Sequence, residues 1–431
     1  MTSYRLAPAP VSTISARKFN PISTQHGPLV SIVIPNFNHA QYLGDAIASV
    51  LAQTYTNVEI IVVDDGSTDH SRAVIAQFGS QIRSIGQENR GLSAARNTGI
   101  RATKGEYIGL LDADDLYEPN FLETLMTIVR VNPDIDGIYC GYQFVDQQNK
   151  RLSQVEARLI PTAQLHDVLL DGNFFVPESM LLHRRCYTQA GAFDEKLRAC
   201  EDWDMWLRIT SQYKIMGTAT VLTRHRVLAG SMSSDPTRMI HNRMAVLQKH
   251  LGLEPETYRA MNGRTCRAYG EAYLISAVEY LQYGDSKQAY TCLYKGAQIY
   301  PALLHQLRTF FELGCGNQPK GDRGNFATLE LAYNAQVLMQ MLAQLFQEPN
   351  LVADLRQTKR EVYALAHFAL GLLNYGAGQW VMARRYLLQA VRYDSRLLTN
   401  KQWSTTLAKA TLGKRLVKWL QRIQSPNHPA S

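Results

Sequence analysis

The sequence predicts an α/β domain, with a mostly parallel sheet flanked by helices, followed by an all-α domain. Three observations predict it. Over residues 29–230 short β-branched runs alternate with segments of helical period, which is the rhythm of βαβ units. Beyond Ser234 the pattern becomes almost wholly helical. Charge divides there too: residues 1–230 carry 21 Lys/Arg against 24 Asp/Glu, and residues 231–431 carry 24 against 13. An acidic first half suits metal or hydroxyl chemistry, whereas a basic second half suits an anionic surface.

Residues 1–28 hold Pro8, Pro10, Pro21 and Pro28 without any period and read as a flexible leader. The expected order is then a strand over 30–34, a helix with Leu43, Ile47, Val50 and Leu51 on one face, and a strand over 58–63. Helices over 71–78 and 92–102 follow, then a strand over 107–111, a helix over 120–131 and a strand over 137–142. The polar run 146–151 reads as a loop or hairpin turn, 181–183 as a short strand, 201–213 as a helix and 214–227 as extended chain.

The expected domains are 29–240 (α/β), 241–400 (helical) and 401–431 (a basic amphipathic helix and tail). Within the helical region Ala277, Leu281, Gly284, Ala289, Leu293 and Gly296 align with Gly371, Tyr375, Gly378, Ala383, Leu387 and Ala390. This spacing resembles the tetratricopeptide helical hairpin in two degenerate copies. The last helix, over 404–424, sets Leu412, Leu416, Trp419, Leu420 and Ile423 opposite Lys414, Arg415, Lys418 and Arg422. Its apolar face either packs on the helical domain or rests on anionic lipid.

Several classes are excluded. No stretch approaches about 18 apolar residues, and the leader lacks the apolar middle of a signal peptide. The expectation is therefore a cytoplasmic protein, peripheral at most to the inner membrane face. None of the six cysteines forms a Cys-x-x-Cys pair, so they read as reduced and mostly buried. The absence of Gly-x-Gly-x-x-Gly excludes a dehydrogenase of that type, and no aromatic-basic motif supports nucleic-acid binding.

Chemistry concentrates where strands end. Asp112-Ala113-Asp114-Asp115 follows the strand over 107–111, and ligands of open α/β sheets bind outside the carboxyl ends of strands. Crowded carboxylates repel unless a hard cation, Mg²⁺ or Mn²⁺, neutralises them and leaves positions for phosphate; an acidic solvated loop is the bland alternative. Asp64 and Asp65 end the second strand, where a carboxylate can accept hydrogen bonds from a base or ribose, or Ser67 and Thr68 merely cap a helix. Pro35-Asn36-Phe37-Asn38 ends the first strand, and Phe37 is placed either to stack on a flat heterocycle or to fill a core.

Six blocks in this order carry a resemblance. They are residues 31–38 (Ser-Ile-Val-Ile-Pro-Asn-Phe-Asn), 63–69 (Val-Asp-Asp-Gly-Ser-Thr-Asp), 89–97 (Asn-Arg-Gly-Leu-Ser-Ala-Ala-Arg-Asn), 111–115 (Leu-Asp-Ala-Asp-Asp), 191–195 (Gly-Ala-Phe-Asp-Glu) and 201–208 (Glu-Asp-Trp-Asp-Met-Trp-Leu-Arg). Over about residues 29–230 the chain resembles the family 2 glycosyltransferases. The resemblance implies the GT-A fold, a nucleotide-sugar donor such as a UDP-sugar, Mn²⁺ or Mg²⁺, and inversion at the sugar.

Carried over by position, the resemblance implies that Pro35, Phe37 and Asn38 lie at the donor, with Phe37 on the base, and that Asp65 recognises the base with Asp64 beside it. Asp112, Ala113 and Asp114 match the Asp-x-Asp motif, whose two acids hold the metal. Arg96 lies near the diphosphate or braces the acidic loop, and Asp115 supports or caps. Asp202 matches the general base, with Glu201 supporting it and Asp204 structural. A sugar hydroxyl is a poor nucleophile, so a carboxylate must take its proton; the helix start at Asp202 is expected to keep that carboxylate ionised. Trp203 and Trp206 are placed to wall the acceptor; the bland alternative makes Asp202 only a helix cap and Trp206 a core residue.

Two departures stand out. Where relatives carry a metal-side His, Leu228 occurs, with His225 and Arg226 as substitutes; and the Gln-x-x-Arg-Trp motif of polymerising members is absent, which favours single transfers. The expected acceptor is a carbohydrate or glycolipid precursor of a surface polysaccharide. The rival readings are a non-catalytic scaffold whose helical repeats bind a protein, and a nucleotidyltransferase, which would need a basic Gly-rich loop that 36–41 lacks.

Overall fold

The computed structural model describes residues 27–256 and 263–411. Nearly all of the leader, and the tail helix face formed by Leu412, Leu416, Trp419, Leu420 and Ile423, fall outside the described residues. The chain forms two compact units. One runs to Ser233 and includes His241–His250; the other comprises Ser234–Ile240 and the chain from Leu251.

The first unit contains β1 (Val30–Asn36), α1 (Ala40–Leu51), β2 (Val58–Asp64), α2 (Ser71–Gln77), β3 (Arg83–Gly86), α3 (Leu92–Ala102), β4 (Tyr107–Leu110), β5 (Leu116–Tyr117) and α4 (Phe121–Val131). These are followed by β6 (Gly137–Val145), β7 (Arg151–Glu156), α5 (Thr162–Leu170), β8 (Met180–His183), α6 (Arg184–Ala190), α7 (Glu201–Thr210) and β9 (Ile215–Arg226). The strands make one sheet in the order β3-β2-β1-β4-β8-β6-β9-β5, with β7 beside β6.

The sheet is mixed rather than mostly parallel. β1, β2, β3 and β4 pair in parallel, as do β6 and β9, but β8 runs antiparallel to both β4 and β6. The connection from β6 to β7 is a tight hairpin at Asp146–Lys150, with Asn149 at φ 63° and the Asp146 carboxylate accepting from the amides of Gln148 and Lys150. So short a return can only join antiparallel strands. β1 is buried along its whole length, as expected for a strand covered on both faces. α4 buries Phe121, Leu122, Leu125, Met126 and Val129 in the same core, each contributing about 2 kcal/mol.

Register places the site. Asn36 pairs with Asp64, and Val33 with Leu110, so β1, β2 and β4 end on one edge. α3 crosses beneath that edge. At Gly99 any Cβ would clash with the side chain of Val33, and the close approach sinks Arg96, one turn earlier, to 1% exposure.

The second unit is helical, entered through α8 (Pro236–Leu251). It contains α9 (Gly263–Tyr283), α10 (Ser286–Ile299), α11 (Leu307–Cys315), α12 (Leu331–Leu345), α13 (Ala353–Gln357), α14 (Lys359–Gly376), α15 (Trp380–Tyr393) and a helix over 401–411. α10 and α15 begin and end 94 residues apart, the same offset as the small-residue alignment. Gly284 and Gly378 turn the two hairpins at φ 91° and 74°, values that favour glycine. A Cβ on Gly371 would lie 2.8 Å from Leu387, so this hairpin closes where the side chain is missing. Among the described residues no helix is long and apolar enough to cross a membrane.

Candidate active site

The first wall is the loop pair after β1 and β2. Asn38 adopts φ 58°, its side-chain Oδ1 accepting from the amides of Thr68 and Asp69 while its backbone N–H donates to the Ser67 hydroxyl. That turn leaves Phe37 43% exposed at the strand end, outside the core, whereas Pro35 is buried within β1. Asp64 accepts from Asn36 and pairs with Arg72 at 3.2 Å. Asp65 is 2% exposed and accepts from Gln87 Nε2 (2.6 Å) and from the amides of Arg90 (3.0 Å) and Gly91 (2.8 Å). Three donors leave its carboxylate about one acceptor position. Asp65 thus clamps the 87–91 loop to the site.

The second wall joins α3, the 112–115 loop and α7. Arg96 donates from Nη2 to both oxygens of Asp112 (2.7 and 2.9 Å) and from Nη1 to Glu201 (2.6 Å), with its guanidinium 5.5 Å from the Phe193 ring. Burial alone would lower its pKa, but the charges of Asp112 and Glu201 raise it. Arg96 therefore braces the acidic loop. Asp202 lies next to Glu201, and its carboxylate accepts from Asn173 Nδ2 (2.9 Å) and the Trp203 amide (2.7 Å). Burial, with the neighbouring Glu201 charge, pushes Asp202 up to about 7. This overturns the expectation that the helix start would keep it firmly ionised: desolvation outweighs two hydrogen bonds and the Arg96 charge.

On the far side of the loop, Asp115 is 1% exposed and accepts from the Arg226 amide (2.7 Å), and it meets His225 Nδ1 at 3.0 Å. The same nitrogen lies 3.0 Å from Glu178, which is wholly buried. Burial, followed by the Glu178 charge, raises Asp115 to about 7; His225 rises well above its usual value because the two carboxylates overcome its own burial. Arg226 donates from Nε to the Asp114 carbonyl (2.7 Å) and from Nη1 to that of Gln147 (2.6 Å). Asp115 is a tie to β9 rather than a helix cap.

Among the described residues, one set of three potential metal ligands has its atoms all within 4.8 Å: Asp115, Glu178 and His225. Deep burial of both acids leaves that set no face for a phosphate. The half-buried Asp114 is different: among the described residues its carboxylate has no hydrogen bond or ion pair, and burial plus the charges of Asp115 and Asp112 raises it to about 7. An unpartnered carboxylate crowded by two others suits a hard divalent cation. Asp112, already held by Arg96, is less available for one. Ala113 between them is buried and contributes backbone alone.

The tryptophans need correction. Trp203 is 2% exposed with its indole N–H on the Leu169 carbonyl, and Trp206 is wholly buried edge-on to Phe193. Neither presents a face to a sugar, because α7 turns both rings into the core. Asp204 is structural: Arg208, Lys249 and His250 surround it, and despite burial they bring it down to about 2. Sequence reasoning missed Asn173 and Glu178. The available signal for Glu178 was a lone acid inside the apolar run 174–182; Asn173 had none. Leu228 offers no polar group, and His225 and Arg226 are both engaged with the loop.

Residues 31–189 match the family described as Glycosyl transferase family 2. An uncharacterized glycosyltransferase of Rickettsia typhi is 36% identical over 222 residues, 49% of this chain and 65% of that protein. One from Rickettsia prowazekii is 34% identical over 221 residues, 48% of this chain and 67% of that protein. The match thus spans about two thirds of these relatives, and 34% of a longer Rickettsia felis one. Among solved structures, TarS 1-349 of S. aureus in complex with UDP-GlcNAc aligns with TM-score 0.50 and 14% identity over 74% of this chain and 90% of that one, which is a likeness of fold. With its mixed GT-A-type sheet and these relatives, the chain belongs to the family 2 glycosyltransferases.

Proposed function

We propose that the chain transfers a single sugar from a nucleotide-sugar donor, a UDP-sugar by preference, to an acceptor hydroxyl with inversion. One observation carries this reading: the Arg96 guanidinium bonds Asp112 and Glu201 together, so the Asp-x-Asp loop and the start of α7 meet across one side chain.

In this reading Phe37 offers its exposed ring to the base, and the remaining acceptor position of Asp65 takes a donor from base or ribose. A divalent cation, Mn²⁺ or Mg²⁺, held by Asp114 with Asp112 beside it, would neutralise the diphosphate. Asp202 accepts the acceptor's hydroxyl proton while that oxygen attacks the anomeric carbon and the bond to the diphosphate oxygen breaks. A base titrating near 7 is matched to this task, since about half of it is ionised at neutral pH and it binds the proton strongly enough to draw it from a hydroxyl. Asn173 aims the carboxylate. The preferred acceptor class is a glycolipid or surface-polysaccharide precursor. In support, the chain is 28% identical over 252 residues to a chondroitin synthase of Escherichia coli, of which it spans 36%.

The test is a thermal-shift panel of nucleotide sugars with and without Mn²⁺, followed by assay of nucleoside diphosphate release. A true donor raises Tm with the logarithm of its concentration, and Asp202→Asn should keep that shift while losing turnover. A fold that no nucleotide sugar stabilises would favour the scaffold reading.

A further inference from the structure

The two helical hairpins of the second unit share a fold but not a surface. In the first, the outer face of α10 is covered by chain: Tyr290 donates to Glu348, Gln298 donates to the Asn350 carbonyl, and Gln298 accepts from the Val352 amide. The positions equivalent to Tyr290, Tyr294 and Gln298, 94 residues on, are Arg384, Leu388 and Arg392, and among the described residues the side chains of these three have no hydrogen bond to a covering segment; the Arg392 carbonyl, at the end of α15, accepts from Arg360 of α14.

That face is built unlike an ordinary solvated one. Val381, Arg385, Leu388 and Arg392 follow the i, i+4, i+7, i+11 spacing of a single stripe, directly opposite the buried Ala383, Leu387 and Ala390. Val381 is 68% and Leu388 51% exposed, and Leu398 just beyond is 55% exposed. α15 contains no acid, and residues 359–411 carry eight Lys/Arg against Glu361 and Asp394 alone. Both of those acids are paired with Arg396, and among the described residues no ion pair is formed by Arg385 or Arg392. Residues 412–431 add four cations and no acid; like charge disfavours that tail as the cover.

We infer that the outward stripe of α15 is a docking surface for an anionic phospholipid bilayer. Apolar side chains set between cations on one convex helix face suit a flat interface, where Val381 and Leu388 enter the headgroup boundary and Arg384, Arg385 and Arg392 reach phosphates. An acidic protein would use the cations and leave the apolar residues without purpose. The surface is independent of the transfer reaction and would bring the enzyme to a lipid-borne acceptor.

The test is co-sedimentation of the full chain with vesicles of phosphatidylcholine alone, or of phosphatidylcholine mixed with phosphatidylglycerol. Binding should require the anionic lipid, weaken with salt, and fall at least about tenfold in Arg385→Glu/Arg392→Glu, with Leu388→Asn weaker than wild type as well. These side chains are exposed, so an unchanged Tm should accompany the loss. A variant with Lys414, Arg415, Lys418 and Arg422 all changed to Ala should retain most binding. Equal binding to neutral vesicles, indifference to the Arg385/Arg392 reversal, or no vesicle binding at all would overturn the assignment.

Discussion

The two sides of the 112–115 loop are both lined with buried carboxylates, yet they are finished differently. On the β9 side Asp115 and Glu178 share His225, the Arg226 amide donates to the Asp115 carboxylate, and the Arg226 guanidinium pins the loop backbone at the Asp114 carbonyl. On the α7 side Arg96 holds Asp112 and Glu201, but among the described residues Asp114 has no hydrogen bond or ion pair, and Asp202 has an amide and Asn173. The difference separates scaffold from chemistry. Asp115 and Asp202 are both pushed up to about 7, so the partners rather than the titration set the two sides apart. In the proposed reading a carboxylate bonded to a cation is fixed in place, and one without such a bond is left for a metal or a proton.

The sharpest break of this comparison is Asp202→Asn. Turnover should fall about a thousandfold in an initial-rate assay, with the donor-induced Tm shift kept; a loss under tenfold would move the base elsewhere. Asp114→Asn should next abolish the Mn²⁺-dependent part of the donor-induced Tm shift, whereas an undiminished Mn²⁺ response would show that the cation sits elsewhere.

Asp204, two residues from Asp202, gives the opposite case. Asp204→Asn strands Arg208, Lys249 and His250 and should cost about 3 kcal/mol in denaturant unfolding. Its folded pKa of about 2 lies below the usual 3.8, so its ionisation stabilises the fold above pH about 4, by roughly 2 kcal/mol, and this is lost as pH falls toward 2. Asp202 runs the other way: the acid limb of kcat/KM should lie near pH 7, activity falling about tenfold per unit below it as the base takes a proton. A limb near pH 4 would break the distinction between the two acids. The smallest effect is expected far from the site, where Gly378→Ala at φ 74° should lower stability by about 1 kcal/mol and leave donor binding unchanged.

Legibility followed locality. The buried strands β1, β2 and β4 were readable as short β-branched apolar runs, because both faces are covered, and the helices α1, α3 and α4 by the 3.6 period that one buried face imposes. β3 was not: Arg83–Gly86 holds one apolar residue on an exposed edge. β5 is two residues long, and its place beside β9 has no local signature. Leu51, assigned to the inner face of α1, is 41% exposed, because the stripe drifts off the core at the helix end. Within the site, Asp112, Asp114 and Asp202 were legible as acids at element boundaries. Trp203 and Trp206 were misread because a residue's position along a helix does not fix which face meets the cleft.

By itself the sequence determined where strands end, which acids gather at those ends and that a helical, cation-rich region follows, since these depend on neighbours within a few residues. Tertiary structure alone decided that Arg96 ties Asp112 to Glu201, 105 residues from Arg96, that Asn173 aims Asp202, and that Asp115 is spent on His225. Desolvation and pairing act through space, so whether a carboxylate becomes a brace or a base is settled only when distant segments are packed against it.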